Sequence, residues 1–501
     1  MNATTSGRAS ASGLRDSSRR DFPTDGVAMS GGMSPSSDQG PTEQHGVHEE
    51  HSVHEKHDVH DVHSAHQMHD AHVHDVHEHS DPMRSVDDHL ASVLARIQPL
   101  PPFEQHLLDA HGHRLAEDVV APRDVPLFDN SAMDGYAVRR IDVVGADQES
   151  PAVLTVTQDI PAGTATEAEI GPGECARIMT GAPVPRGADA IVPVEWTDGW
   201  SEGTVRVHRV PEHGGHVRHM GEDIQRGQTL LTVGTVLGAR QIGLLAAVGR
   251  DLVAVRPSPR VVVISTGSEL VEPGVEPGPG QIPDANGYTL SAAAREAGAI
   301  VYRVGVVADD PKLLLDTIED QLVRADLVVT TGGVSVGAYD VVKEALSGLG
   351  TVEFDRVAMQ PGMPQGFGVV GPDEIPIFTL PGNPVSAYVS FELFVRPAIR
   401  KLAGYEDDLH HPVVDAICTA GFGSPGGRRQ FARGVVGPAG SGGRIEVRPV
   451  GGAGSHLMGG LAQANCLISV PEEQTRVQAG DLVSVVLLDE AREVLAMMGE
   501  R

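Results

Sequence analysis

The 501-residue sequence predicts a multidomain α/β protein. An open, mostly parallel α/β domain is set among β-rich parts, followed by a C-terminal β domain and preceded by a disordered N-terminal tail. Three observations predict it. Apolar strand-like runs alternate with helical ones between residues 258 and 404, the pattern of a parallel sheet covered on both faces. Short β-type runs with Gly/Pro turns lie on either side of that segment. Residues 1–84 hold scarcely a large apolar side chain, so they cannot bury enough surface to offset their ordering entropy.

The tail is Ser-, Gly-, Asp- and His-rich, and 13 of the 24 histidines fall between His45 and His79, mostly at a period of three. That period drifts around an α-helix but lines up along a polyproline II chain. Interleaved Asp58, Asp61, Asp70, Asp75 and Glu78 favour a cation, and a flexible imidazole array suits Ni²⁺ or Zn²⁺ without fixed geometry. Folded sequence begins at "SVDDHLASVLARI", where Ser85 is placed to cap a helix with Leu90, Val93, Leu94 and Ile97 at helical spacing. "PLPPFEQHLLDAHGHRLAEDVVA" reads as a second helix and a short strand. Residues 85–128 and 218–257 thus form a discontinuous linker or helical domain, and 129–217 a β-rich insertion. Residues 258–404 form the α/β domain, and 405–495 the final β domain.

The formal charge of −30 argues against nucleic-acid binding, which needs clustered basic residues. Three widely spaced cysteines show neither a disulfide framework nor metal-ligand spacing. No secretory signal follows the basic N-terminus, and no apolar run approaches the ~20 residues of a membrane helix. The expectation is a soluble, cytoplasmic protein.

Ligands of open α/β sheets bind beyond the carboxyl ends of the strands. Three loops expected there are "STGSEL" (265–270), "TGGVSVGAYD" (331–340) and "LPGNPVSA" (380–387). Gly332 and Gly333 let backbone N–H groups approach a ligand, Ser335 and Ser386 add hydroxyls, and Glu269 and Asp340 add carboxylates. Paired carboxylates suit a hard divalent cation bridging phosphate oxygens. Lys343, one of only four lysines, follows Asp340 by one helical turn. Neither GxxxxGK[ST] nor GxGxxG occurs at these turns, so residue chemistry alone stops at a small anionic or phosphorylated ligand.

At these loops the sequence resembles the molybdopterin molybdotransferases, the MoeA family shared with the C-terminal domain of gephyrin. "PLFDNSAMDGYAV", "RIMTGAPVPRGADAIVPVE", "GEDI", "STGSEL", "TTGGVSVGAYD" and "LPGNPVSA" follow the family's motif order across residues 85–495. The resemblance implies a homodimer of elongated, four-part subunits whose α/β part binds molybdopterin. It implies molybdenum insertion from molybdate into adenylylated molybdopterin, with AMP released and Mg²⁺ assisting. Position by position it implies Asp134, Thr180, Glu269 and Asp340 as catalytic, with Asp223, Glu269 and Asp340 toward the metal. Gly332, Gly333, Ser335, Lys343, Pro381, Pro384, Ser386 and Ser455 fall to substrate binding. Molybdopterin adenylyltransferase and recipient molybdoenzymes would be its partners.

There is one departure. Where the family often has "KPGKP", this chain has "QPGMP", with Gln360 and Met363 replacing two cations, and Arg356 or Lys343 as the cations available to compensate. Three functional classes follow: the transferase, a scaffold keeping the pterin site without turnover, and a metal-handling protein acting through the tail.

Overall fold

The computed structural model describes residues 83–332, 341–437 and 445–488, apart from residues 165, 166 and 168. The expected tail therefore falls almost wholly outside the described residues.

The first helix, Val86–Arg96, starts where its cap predicts: the Ser85 hydroxyl accepts from the Asp88 N–H at 3.0 Å. Val86, Val93 and Ile97 turn into the core. The second expected helix does not form. Phe103–His106 is a strand running antiparallel to Leu252–Arg256, and Gly112, at φ +84°, ends the turns that follow. Pairing with a segment some 150 positions away in sequence overrides the local apolar spacing there. Beyond the first helix, the segments flanking the insertion consist mostly of such short paired strands, with one further helix among the described residues, Ala239–Ala247. They close over Leu115, Val119, Leu237, Leu245, Val253 and Val255.

The inserted segment holds a five-stranded sheet ordered 190–193, 135–138, 174–178, 152–160 and 204–207. Gly135 cannot be replaced there, because a Cβ would stand 2.1 Å from the Val192 carbonyl oxygen.

In the α/β domain the six-stranded sheet runs Ile300–Val307, Arg260–Thr266, Leu327–Thr331, Ile375–Leu380, Pro364–Val370 and Val352–Arg356. The first four strands are parallel. Val261 and Val263 enter one core and Val262 and Ile264 the other, as the two-residue period of a doubly covered strand requires. The antiparallel pair 352–356/364–370 is not legible as strands in a stretch carrying Pro361, Pro364 and three glycines. Glycine is required within it: a Cβ on Gly368 would meet the Thr351 carbonyl oxygen at 2.2 Å.

The C-terminal strands close into a barrel, since Arg429–Gly437 pairs with both Glu446–Pro449 and Cys466–Val470. Met359–Gln360, leaving the α/β domain, pairs in parallel with Arg429–Gln430 and joins the two domains by backbone hydrogen bonds. All three cysteines are buried and unpaired, and burial pushes the Cys175 and Cys466 thiols up to about 12.

Candidate functional site

At the carboxyl edge of the parallel strands one side chain ties the loops together. The Asn286 amide donates to the Thr331 hydroxyl at 3.0 Å and to the Gly382 carbonyl at 2.8 Å, and the Thr331 hydroxyl reaches the Pro381 carbonyl at 3.3 Å. Gly332 follows at φ +100°, where a Cβ would stand 2.3 Å from the Thr266 carbonyl oxygen, so this crossing admits only glycine. Glu269 is exposed at the end of the neighbouring strand. Its carboxylate folds back over Gly267, 2.6 Å from where a Cβ there would sit. Pro381 and Ser386 are buried and Pro384 half-buried in the loop and helix start beside them.

The Val385 N–H donates to the Ser455 carbonyl at 3.0 Å, docking a barrel loop against this edge. Beside that contact lies a cavity of ≈ 150 Å³ lined by Gln360, Pro361, Val385, Gln430, Arg433 and Gly452, among others. Arg433 is 3% exposed. Among the described residues its guanidinium donates to carbonyls alone, those of Leu457, Gly451, Gly452 and Gly454. Among the described residues no carboxylate pairs with it. Burial lowers its pKa, yet an arginine remains charged. Among the described residues the Gln430 side-chain oxygen is buried without a hydrogen-bond partner, an acceptor that calls for a donor. A buried cation lacking a counter-charge beside a cavity is the arrangement that an anion completes.

A second acidic group is built on the inserted sheet. Asp134 precedes strand Gly135–Val138 and accepts from the Thr180 N–H at 2.7 Å and the Thr180 hydroxyl at 2.8 Å. Those bonds, the backbone one foremost, hold its pKa below the usual carboxylate value. Asp223 is exposed where its N–H pairs with the Val125 carbonyl. Exposed Leu127, Phe128, Met133 and Met220 belong to the same segments. Among the described residues no hydrogen bond or ion pair joins this group to the α/β loops.

Of the residues expected at the site, Glu269, Gly332, Pro381, Pro384, Ser386 and Ser455 share the α/β edge and its barrel contact. Asp134, Thr180 and Asp223 do not. Gly333, Ser335 and Asp340 lie outside the described residues. Lys343 is exposed with its ammonium 5.9 Å from the Phe354 ring centroid, and the Arg356 guanidinium stands 3.9 Å from the Met363 sulfur. A cation therefore already borders the Met363 position. Asn286 and Arg433 were missed by the sequence reading. A small polar residue opening the helix in "PDANGYTL" and a charge inside the apolar run "RQFARGVV" were their signals.

The sequence matches family models over these same parts. They are the MoeA N-terminal region (residues 84–249), a probable molybdopterin binding domain (262–401) and the MoeA C-terminal region (415–488). It is 46% identical over 410 residues to molybdopterin molybdenumtransferase 2 of Mycobacterium tuberculosis, covering 80% of this chain and 99% of that protein. It is 36% identical to the molybdopterin molybdenumtransferase of Haemophilus influenzae, covering 80% and 98%.

The chain belongs to the MoeA family of molybdopterin molybdenumtransferases.

A crystal structure of a MoeA molybdopterin biosynthesis protein from Pyrococcus superposes with a TM-score of 0.69 at 33% identity, covering 81% of this chain and 99% of that one. Within the MoeA matches, Asp134, Thr180 and Asp223 fall in the N-terminal region, and Glu269, Asn286 and Pro381 in the molybdopterin-binding domain. Arg433 and Ser455 fall in the C-terminal region. Among the described residues no helix is long and apolar enough to cross a membrane.

Proposed function

We propose that this molybdopterin molybdenumtransferase inserts molybdenum from molybdate into adenylylated molybdopterin and releases AMP. It acts on small molecules in molybdenum cofactor biosynthesis. The observation that carries the reading is the Arg433 cavity, where a buried guanidinium with no carboxylate partner among the described residues and the neighbouring Gln360 side chain suit a tetrahedral dianion. The phosphate-bearing substrate would lie along the edge organised by Asn286, Thr331 and Gly332, where small residues leave backbone N–H groups accessible.

The donor set fits Mg²⁺ in chemistry. Among the described residues no group of three metal-ligating side chains is gathered, and Mg²⁺ uses one or two carboxylates, completing its shell with water and substrate phosphates. Glu269 would hold it here, together with Asp340 and Asp223 as the family resemblance implies. When bound, it neutralises charge on the phosphoanhydride.

The subunit is proposed to act as a homodimer in which Asp134, Thr180 and Asp223 of one copy face the α/β edge of the other. The lack of any hydrogen bond or ion pair between the two groups among the described residues, and the exposed apolar residues beside Asp134, support this. The His-rich segment is proposed as an appendage for borderline cations such as Ni²⁺ or Zn²⁺, outside the chemistry. Molybdopterin adenylyltransferase and recipient molybdoenzymes remain the proposed protein partners. Molybdate-dependent AMP release by the purified protein tests the reading; its absence with authentic adenylylated substrate leaves a pterin-binding scaffold.

A further inference from the structure

The cavity has two walls from two domains. Gln360 and Pro361 come from the chain leaving strand Val352–Arg356, and Gln430 and Arg433 from barrel strand Arg429–Gly437. The first helix touches the base of both. On the α/β side the Arg84 guanidinium donates to Asp355 at 2.8 Å, and His89 Nδ1 meets the same carboxylate oxygen at 3.3 Å. The His89 ring is packed edge-on to Phe394 with centroids 4.8 Å apart. The Arg84 backbone pairs with this wall as well, its N–H donating to the Arg356 carbonyl and its carbonyl accepting from the Ala358 N–H. On the barrel side Asp87 receives both terminal nitrogens of Arg429, at 2.8 and 2.9 Å, a fork geometry that fixes orientation as well as distance. The Arg429 N–H in turn donates to the Ala358 carbonyl at 2.9 Å.

We propose that the first helix is a clip that fixes the two walls of the Arg433 cavity relative to each other, with Asp87 and Asp355 as positioning residues for oxyanion affinity. The functional part rests on reading that cavity as the oxyanion pocket. Neither residue lines the cavity; each acts through the strand it holds. Asp87 is 71% exposed at its side chain, so its pair is worth a modest effect rather than a collapse.

The test uses the full chain with Asp87→Ala, Asp87→Glu, Asp355→Asn and Arg433→Gln, reading molybdate dependence of AMP release and amide hydrogen exchange. Asp87→Ala should raise the half-saturating molybdate concentration about fivefold while kcat stays within about twofold. Exchange should quicken across 429–433 in Asp87→Ala and across 356–363 in Asp355→Asn, and Asp87→Glu should recover most of both effects. The clip is overturned if exchange in those segments is unchanged, or if kcat and apparent affinity fall together and the glutamate does no better than alanine. Unchanged molybdate dependence in Arg433→Gln overturns the pocket reading instead. The exchange measurement, which needs no substrate, then still decides whether the clip exists.

Discussion

Thr180 gives both its N–H and its hydroxyl to one oxygen of the exposed Asp134, at 2.7 and 2.8 Å. Two donors on one oxygen favour the ionised form. Thr180→Val removes the hydroxyl donor and keeps the N–H, so the Asp134 pKa should rise part-way toward its ordinary value. The sign for stability follows: a carboxylate with a depressed folded pKa stabilises above its unfolded pKa and loses that contribution as pH falls through the folded one. Carboxyl-resolved NMR titration of both proteins measures the shift; identical titration curves would remove the hydroxyl from the account.

Of the two carboxylates expected at the α/β edge, Glu269 and Asp340, Glu269 is the one among the described residues. Glu269→Gln should lower AMP release at least about tenfold while pterin affinity changes less, because the lost charge acts on the metal-assisted step. Asp340→Asn should behave alike. Single-turnover assays with separate binding measurements check the split, and wild-type rates in both variants would exclude the pair from the mechanism.

Arg433→Gln should raise the half-saturating molybdate concentration about tenfold to a hundredfold, the worth of a buried hydrogen bond to a charged group. Gln360→Lys should lower it by adding a cation to the same cavity. Met363→Lys should add little, because the Arg356 guanidinium is already 3.9 Å from the Met363 sulfur and would repel a second charge. Molybdate titrations of the three variants distinguish these outcomes, and a gain from Met363→Lys larger than that from Gln360→Lys would reverse the assignment of the walls.

If the site is completed between subunits, mixing inactive Asp134→Asn and Glu269→Gln proteins should restore part of the activity, since half of the composite sites in a heterodimer then carry neither change. Recovery is read after subunit exchange, with heterodimer formation verified by tagged pull-down. A verified heterodimer that stays inactive puts both residues in one subunit's own site.

Deleting residues 1–82 should leave molybdate-dependent turnover within about twofold and abolish most multi-site Ni²⁺ or Zn²⁺ binding seen by calorimetry. Extending the deletion through Arg84 should cost more, because Arg84 pairs with Asp355 and with the backbone of the cavity wall. Loss of turnover in the shorter deletion would tie the histidines to the reaction.

The sequence by itself determined the order of folded parts, the parallel α/β core and the family. Continuous apolar strands such as "VVVI" and capped helices such as that after Ser85 are local patterns, and motifs survive as strings. It also named Asp134, Thr180 and Glu269, because each sits in such a string. Only the tertiary structure decided that Phe103–His106 is a strand, that 352–370 supplies an antiparallel pair, that Asn286 ties the edge loops together and that Arg433 lines a cavity beside them. Those outcomes depend on partners remote in sequence: Leu252–Arg256 for the strand, Thr331 and Gly382 for Asn286, the 451–457 carbonyls for Arg433. Asp134 and Glu269 stand on separate parts of one chain for the same reason, since spacing along a sequence does not encode which surfaces fold together.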